Sequence, residues 1–205
     1  MDAPSTRLPS TPPLDSLLRE IRACRVCEAQ LPAGPLPIVV ATPKSRIVLL
    51  SQAPGRIAHE KGLPWDDPGG ENLRRWLDVD RVTFFDPDHF AIVPMGFCYP
   101  GRGKSGDLPP RSECAPLWHD RLLPHLTGRR LTLLIGQYAQ KQYLGKRRYR
   151  TLTATVQHWD DYLPQYFPLP HPSPRNNIWM KKNPWFAAEV LPELRQCIRA
   201  ALSRA

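Results

Sequence analysis

Leu14, Leu17, Leu18 and Ile21 repeat at the i, i+3, i+4, i+7 spacing of one helix face, with Asp15 in the first turn where a carboxylate suits the helix dipole. Leu31–Pro43 carries four prolines and a glycine and reads as an irregular connection. The apolar positions then become contiguous. Ile47–Leu50, Phe90–Val93 and Leu131–Ile135 are short apolar runs, with Tyr166–Leu169 as a fourth, as expected of strands covered on both faces. Helices are predicted between them over Glu71–Leu77, Ala115–Leu126 and Gln137–Leu144. A closing helix spans Pro184–Leu202, with proline at its start and Phe186, Val190, Leu191, Leu194 and Ile198 on one side. Cys197 fits the apolar side of that helix and reads as core.

Strands alternating with helices predict an α/β fold: three α/β/α layers around a short, mainly parallel four-stranded sheet. A single folded domain over residues 14–205 follows. Residues 1–13, rich in Pro, Ser and Thr, read as a disordered lead-in. In such sheets ligands bind beyond the carboxyl ends of the strands. Three loops are predicted to leave those ends: Ser51-Gln52-Ala53-Pro54-Gly55, Pro94-Met95-Gly96-Phe97-Cys98 and Pro170-His171-Pro172-Ser173-Pro174-Arg175-Asn176-Asn177.

Composition sharpens this picture in two respects. Proline makes up 25 of the 205 residues, more than twice its usual share of about 5%, which implies many stiff connections. Lys and Arg number 28 against 19 Asp and Glu, a net charge of +9. That sign suits a polyanion, nucleic acid before an anionic membrane, although a merely soluble basic protein also has it. No apolar run is long enough to span a bilayer. The N-terminus has no basic segment followed by an apolar one, so a cytoplasmic location without a membrane partner is expected. In that reducing compartment the five cysteines point to metal or catalytic roles rather than disulfides.

Cys24 and Cys27 are separated by two residues, and Cys98 and Cys114 by fifteen. Four thiolates suit a tetrahedral zinc or an iron–sulfur cluster; the other reading is four buried apolar cysteines. Trp65 beside Asp66 and Asp67 has the makings of a stacking platform next to a water-orienting acid, or of a turn with an anchored aromatic. His171 at a strand end is placed to donate to charge developing on a leaving group, in a loop stiffened by Pro172 and Pro174. Arg175 supplies a cation to that loop, with Lys181 and Lys182 beyond it. Between Arg129 and Arg150 lie seven basic residues and no acid, Arg147 and Arg148 among them, with tyrosines interleaved. Phosphate contact and a solvated basic helix end both explain that run.

Taken together, the loops resemble those of the uracil-DNA glycosylase superfamily, most of all its iron–sulfur branch, the family 4 glycosylases. The resemblance covers about residues 20–200. SQAPG is similar to the branch's first motif, Gly-Glu-Ala-Pro-Gly after a strand. Gly62-Leu63-Pro64-Trp65 is similar to its Gly-Arg-Pro-Phe, which implies that Trp65 stacks on the extruded base. HPSPRN is similar to the second motif, which implies that His171 stabilises the departing anionic base and that Pro174 and Arg175 wedge into the duplex, with Asn176 beside them. Cys24, Cys27, Cys98 and Cys114 match the branch's 4Fe–4S ligands, with zinc as the other occupant to consider.

The sequence departs from the pattern at two places. Ala53 and Ala58 stand where the family carries a water-positioning acid, and Val93–Phe97 offers no amide to read the base edge. Glu60 or Asp66 is then the candidate for orienting water, with Gln52 and the Ala53 backbone as base contacts. The expected activity is hydrolysis of the N-glycosidic bond of a flipped damaged base, uracil first, by a monomer acting on DNA. The rival is a catalytically weak, cluster-bearing protein that binds DNA and recognises lesions.

Overall fold

The structure, a computed structural model, describes residues 13–203. The expected lead-in over residues 1–13 lies outside them, apart from Pro13, which precedes helix α1 (Leu14–Arg22). The chain continues through β1 (Ile47–Leu50), α2 (Arg56–Lys61), α3 (Pro68–Leu77), α4 (Arg81–Phe85) and β2 (Phe90–Ile92). A small hairpin follows, β3 (Arg102–Gly103) with β4 (Gly106–Asp107), and then α5 (Cys114–Leu122) and β5 (Leu131–Ile135). The remainder is α6 (Gln137–Leu144), α7 (Leu152–Gln157), β6 (Tyr166–Leu169), α8 (Asn177–Lys182) and α9 (Leu191–Leu202).

The main sheet has the order β2-β1-β5-β6, and every pairing in it is parallel. Ile47 pairs with both Phe90 and Leu131, and Leu133 with Phe167. Successive strand residues point to opposite faces. Ile47, Leu49, Ile92, Leu133 and Phe167 pack on the side of α3, α4 and α9, whereas Val48, Leu50, Ala91 and Leu134 pack under α1, α5 and α6. Both faces are covered, so all four residues of β1 are no more than 1% exposed. Alternation between polar and apolar positions is therefore absent from β1 and contiguous apolarity takes its place. Pro168 is tolerated because β6 is an edge strand.

Three elements differ from the periodic reading. Helix α3 starts at Pro68 rather than Glu71, because the Asp67 side chain accepts the Gly70 N–H (2.8 Å) and proline takes the first helical position. The closing helix begins as a π-helical turn over Phe186–Val190 and becomes α-helical only from Leu191. Pro192 lacks an N–H and its ring would strike the carbonyl four residues back, and a wider turn relieves both. The stretch expected to be helical over Ala115–Leu126 ends as α-helix at Leu122 and finishes in a 3-10 turn over Leu123–His125, where Pro124 sits. Among the described residues no helix is long and apolar enough to cross a membrane.

Candidate active site and nucleic-acid interface

With all four strands running one way, the loops after β1, β2 and β6 leave the same edge of the sheet, and a cavity of about 570 Å³ opens there. The β1 loop contributes Ser51–Ala58, the β6 loop His171 and Ser173–Asn176, and the segment before α3 contributes Trp65 and Asp67. The β3–β4 hairpin completes the lining with Arg102, Gly106 and Asp107. The loop after β2 is divided: Pro94 faces this cavity, whereas Gly96–Cys98 turn to a second, smaller one lined by the thiols.

His171 is held in one protonation state by its own loop. The Ser173 backbone N–H donates to His171 Nδ1 (3.2 Å). A backbone N–H can only donate, so a neutral ring must carry its proton on Nε2. Enclosure pushes the His171 pKa below the ordinary histidine value, with the nearby Asp67 carboxylate acting in the opposite direction. The result is a neutral imidazole with Nδ1 occupied and an Nε2–H left to donate. The loop is braced from both sides: the Asn176 side chain donates to the His171 carbonyl (2.6 Å), and Asn72, buried in α3, donates to the Pro172 carbonyl (2.9 Å).

The ring of Trp65 lies 5.7 Å from that of His171, tilted by 32°. Its backbone sits at φ 62°, a left-handed conformation that costs a non-glycine residue about 1–2 kcal/mol. The turn closes because position 70 has no side chain: a Cβ there would lie 1.7 Å from the Trp65 carbonyl oxygen. Asp67 and Gly70 thus cap α3 and seat Trp65 beside the histidine. Neither effect is visible from the aromatic's sequence position alone.

Two of the expected acids do not reach the cavity. Glu60 pairs with Arg56 at 2.5 Å on the exposed side of α2. Asp66 pairs with Arg81 (2.5 Å) and Lys61 (2.9 Å), and these cations hold its pKa down to about 2. The carboxylates that do line it are Asp67 and Asp107. Asp107 was not anticipated, nor were Arg102 and the Asn72 brace. Gln52 lines the cavity with its amide turned to the hairpin, where Nε2–H donates to the Leu108 carbonyl (3.4 Å). Ala53 lines it as well.

The basic residues divide between two edges. Arg175 is a strut across the cavity mouth, donating to the Ser105 carbonyl of the hairpin (2.7 Å), and not a free loop tip. Pro174 is exposed beside it. Lys181 and Lys182 are exposed at the end of α8, outside the cavity lining. Ile178, 68% exposed, lies between them and Asn176. Arg147 and Arg148 are elsewhere. Helix α6 leaves the cavity edge and runs back, so its C-terminal turn lies at the opposite end of the sheet, where the Arg147 guanidinium covers the ring of Tyr166, the first residue of β6. The structure does not bring these two residues to the cavity.

Cys24, Cys27, Cys98 and Cys114 line the second cavity together. Burial pushes Cys98 up to about 11 and Cys114 up to about 12, with the neighbouring cysteines adding to both. The Phe97 N–H donates to Cys114 Sγ (3.3 Å), and Arg111 lines the same cavity with its Nε buried and without a partner among the described residues. The site therefore gathers four thiols beside two donors, the Phe97 N–H and Arg111, whose guanidinium also pairs with Glu113 (2.6 Å). Among the described residues, no three His, Cys, Asp or Glu side chains come close enough to share one metal ion.

We expect 15N NMR to show His171 as the Nε2–H tautomer, titrating below the ordinary value of 6.5. The folded ring holds its proton less tightly than the unfolded one. Its contribution to stability is therefore complete above about pH 6.5 and is lost as the pH falls through the folded value. A ring titrating above 6.5 would contradict the enclosure described here.

The matching of known families agrees with the geometry. A model of the uracil DNA glycosylase superfamily matches residues 38–195, which include all four strands of the main sheet and the loops that build the cavity. The chain belongs to the uracil DNA glycosylase superfamily.

Proposed function

We propose that this chain is a DNA glycosylase of the iron–sulfur, family 4-like kind that hydrolyses the N-glycosidic bond of a base flipped out of DNA, uracil foremost. The observation that carries this reading is His171, whose Nδ1 is occupied by the Ser173 N–H and whose Nε2–H is left to donate in a cavity it shares with Trp65 and the SQAPG loop. As the bond breaks, its electron pair moves onto the base, and a preorganised donor stabilises that charge more in the transition state than in the ground state. Trp65, buried in the cavity wall, is the proposed stacking partner of the extruded base. Arg102 and Arg175 supply positive charge in the cavity wall, Lys181 and Lys182 add to it from the end of α8, and the exposed Ile178, four residues after Pro174, gives an apolar edge against the duplex.

The four cysteines are the proposed ligands of a 4Fe–4S cluster. Four sulfur donors gathered around one small cavity suit it, with zinc as the other occupant to test. The Phe97 N–H and Arg111 suit the cluster's negative charge. Bound there, the cluster would act structurally, joining the end of α1 to the β2–α5 connection away from the base cavity.

The second reading, DNA binding with little catalysis, draws on the Ala53 and Pro94 part of the lining, which has no polar side chain to read a base. Single-turnover assays on uracil, hypoxanthine and mismatched duplexes separate the two. We expect excision by the wild-type protein and a loss of about a hundredfold in His171→Ala, roughly 3 kcal/mol, with DNA affinity nearly unchanged. Binding without turnover on every duplex would favour the second reading.

Purified protein should be brown, with iron and acid-labile sulfide in equal amounts. Colourless protein with stoichiometric zinc would remove the cluster. DNA affinity should fall steeply with salt. Replacing Lys181 and Lys182 by alanine should lower the magnitude of that slope by roughly one to two, and replacing Arg147 and Arg148 should leave it nearly unchanged. The opposite ranking would move the DNA to the other edge of the sheet.

A further inference from the structure

Asp107 lines the cavity beside Arg102 and Gly106. Asp107 ends the β3–β4 hairpin, and its carboxylate reaches the β1 loop: a Cβ built on Gly55 would lie 3.4 Å from Asp107 Oδ2. Among the described residues Asp107 enters no ion pair. It is nevertheless ringed by charge and by a hydroxyl: Arg102 from β3, Arg56 from α2, Arg175 from the β6 loop and the Tyr99 hydroxyl. By area it is exposed, because it stands at the open mouth where DNA would cover it. Partial enclosure raises its pKa above the ordinary carboxylate value, ahead of the pull of the three arginines, so the carboxylate is a stronger base than an ordinary one in water.

The other lining acid is already committed. Asp67 Oδ1 accepts the Gly70 N–H at the start of α3, and the carboxylate lies beside His171. A base adjacent to the leaving-group donor is badly placed to activate a nucleophile arriving from the other side of the sugar. Asp107 has different neighbours from His171, Gly55 and the Tyr99 hydroxyl instead of Trp65 and Asp67. It meets the β1 loop at Gly55, which lies in sequence between Ala53 and Ala58, the positions where the first motif lacks a carboxylate.

We propose that Asp107, delivered by the hairpin, is the carboxylate that takes the proton of the attacking water. This rests on the glycosylase reading above. The water oxygen bonds to C1′ as the C1′–N bond breaks, and the electron pair of that bond leaves on the base, stabilised by His171 Nε2–H. One water proton passes to Asp107 and then to solvent, and the departing base takes up a proton from solvent. The products are the free base and an abasic sugar bearing the water's hydroxyl.

The test uses the full chain, with Asp107→Asn and Asp67→Asn as near-isosteric variants; asparagine keeps the α3 cap. The readouts are the single-turnover rate against pH on the duplex that the wild type cleaves fastest, and affinity for two abasic mimics. One mimic is a neutral tetrahydrofuran and the other a cationic azasugar. Asp107→Asn should lose about a hundredfold or more in rate and the acid limb of the pH profile, while its affinity for the tetrahydrofuran duplex stays at the wild-type level. The wild type should prefer the azasugar by about tenfold or more, and Asp107→Asn should lose that preference. Retained affinity for the neutral duplex shows that the variant is folded. Wild-type excision with an unchanged Asp107→Asn rate would overturn the proposal and leave the glycosylase reading standing. The same holds if Asp67→Asn, and not Asp107→Asn, removes the acid limb. No excision by the wild type of any base would overturn the glycosylase reading and the proposal together.

Discussion

Four strands that all run the same way must be covered on both faces, because each connection between neighbours has to cross over the sheet. That constraint organises the rest of the molecule. It makes β1 wholly apolar and places α3 and α9 on one side with α1, α5 and α6 on the other. It also gives the two sheet edges different characters. The loops after β1, β2 and β6 gather at one edge, and the returning helices end at the other. The distance between the His171 cavity and the Arg147 turn is therefore a consequence of strand direction, even though both belong to one strongly basic chain.

Within the cavity the functional geometry comes from backbone groups as much as from side chains. The Ser173 amide sets the histidine tautomer, the Pro172 and His171 carbonyls receive Asn72 and Asn176, and the Trp65 carbonyl packs against a position that admits no Cβ. A donor preorganised in this way needs little rearrangement when charge develops on a leaving group. Asn72 is itself engaged by Arg75 through its other amide atom, so the brace is tied into α3 and not left to swing.

The strands were legible in the sequence because contiguous apolarity is what a doubly covered strand requires, and Ile47–Leu50, Leu131–Ile135 and Tyr166–Leu169 appear with the boundaries read from the chain. The second strand is one residue shorter than read, ending at Ile92. Helices α2, α4, α7 and α8 were not legible, since five or six residues hold too few turns for a 3.6-residue period to show. His171 could be found because it sits on a strand end in a proline-stiffened loop. Glu60 had a warning in the sequence: Arg56 lies four residues before it, the spacing of a helical ion pair. Asp66 had none, because its partners lack a helical spacing: Lys61 is five residues before it and Arg81 fifteen after. Asp107 was hidden for the same reason in reverse. It follows a glycine-rich stretch with no apolar pattern and joins the β1 loop only in three dimensions.

The hairpin's position links the thiol site to the base cavity. Cys98 and Cys114 bracket the segment that contains Tyr99, Arg102 and Asp107. Held by two short strands alone, such a segment has little to fix it, since a pair of two-residue strands is marginal without support. Its stem is fixed by other means. Pro110 packs where a Cβ on Gly96 would meet it at 3.0 Å, Leu108 receives the Gln52 amide, and Arg175 spans from the β6 loop to Ser105. On the proposed reading, the cluster ties both ends of the segment to the end of α1. Closing a loop at its ends reduces the entropy that positioning its tip would otherwise cost. A cluster bound there would influence the cavity without touching substrate, by fixing where the segment begins and ends.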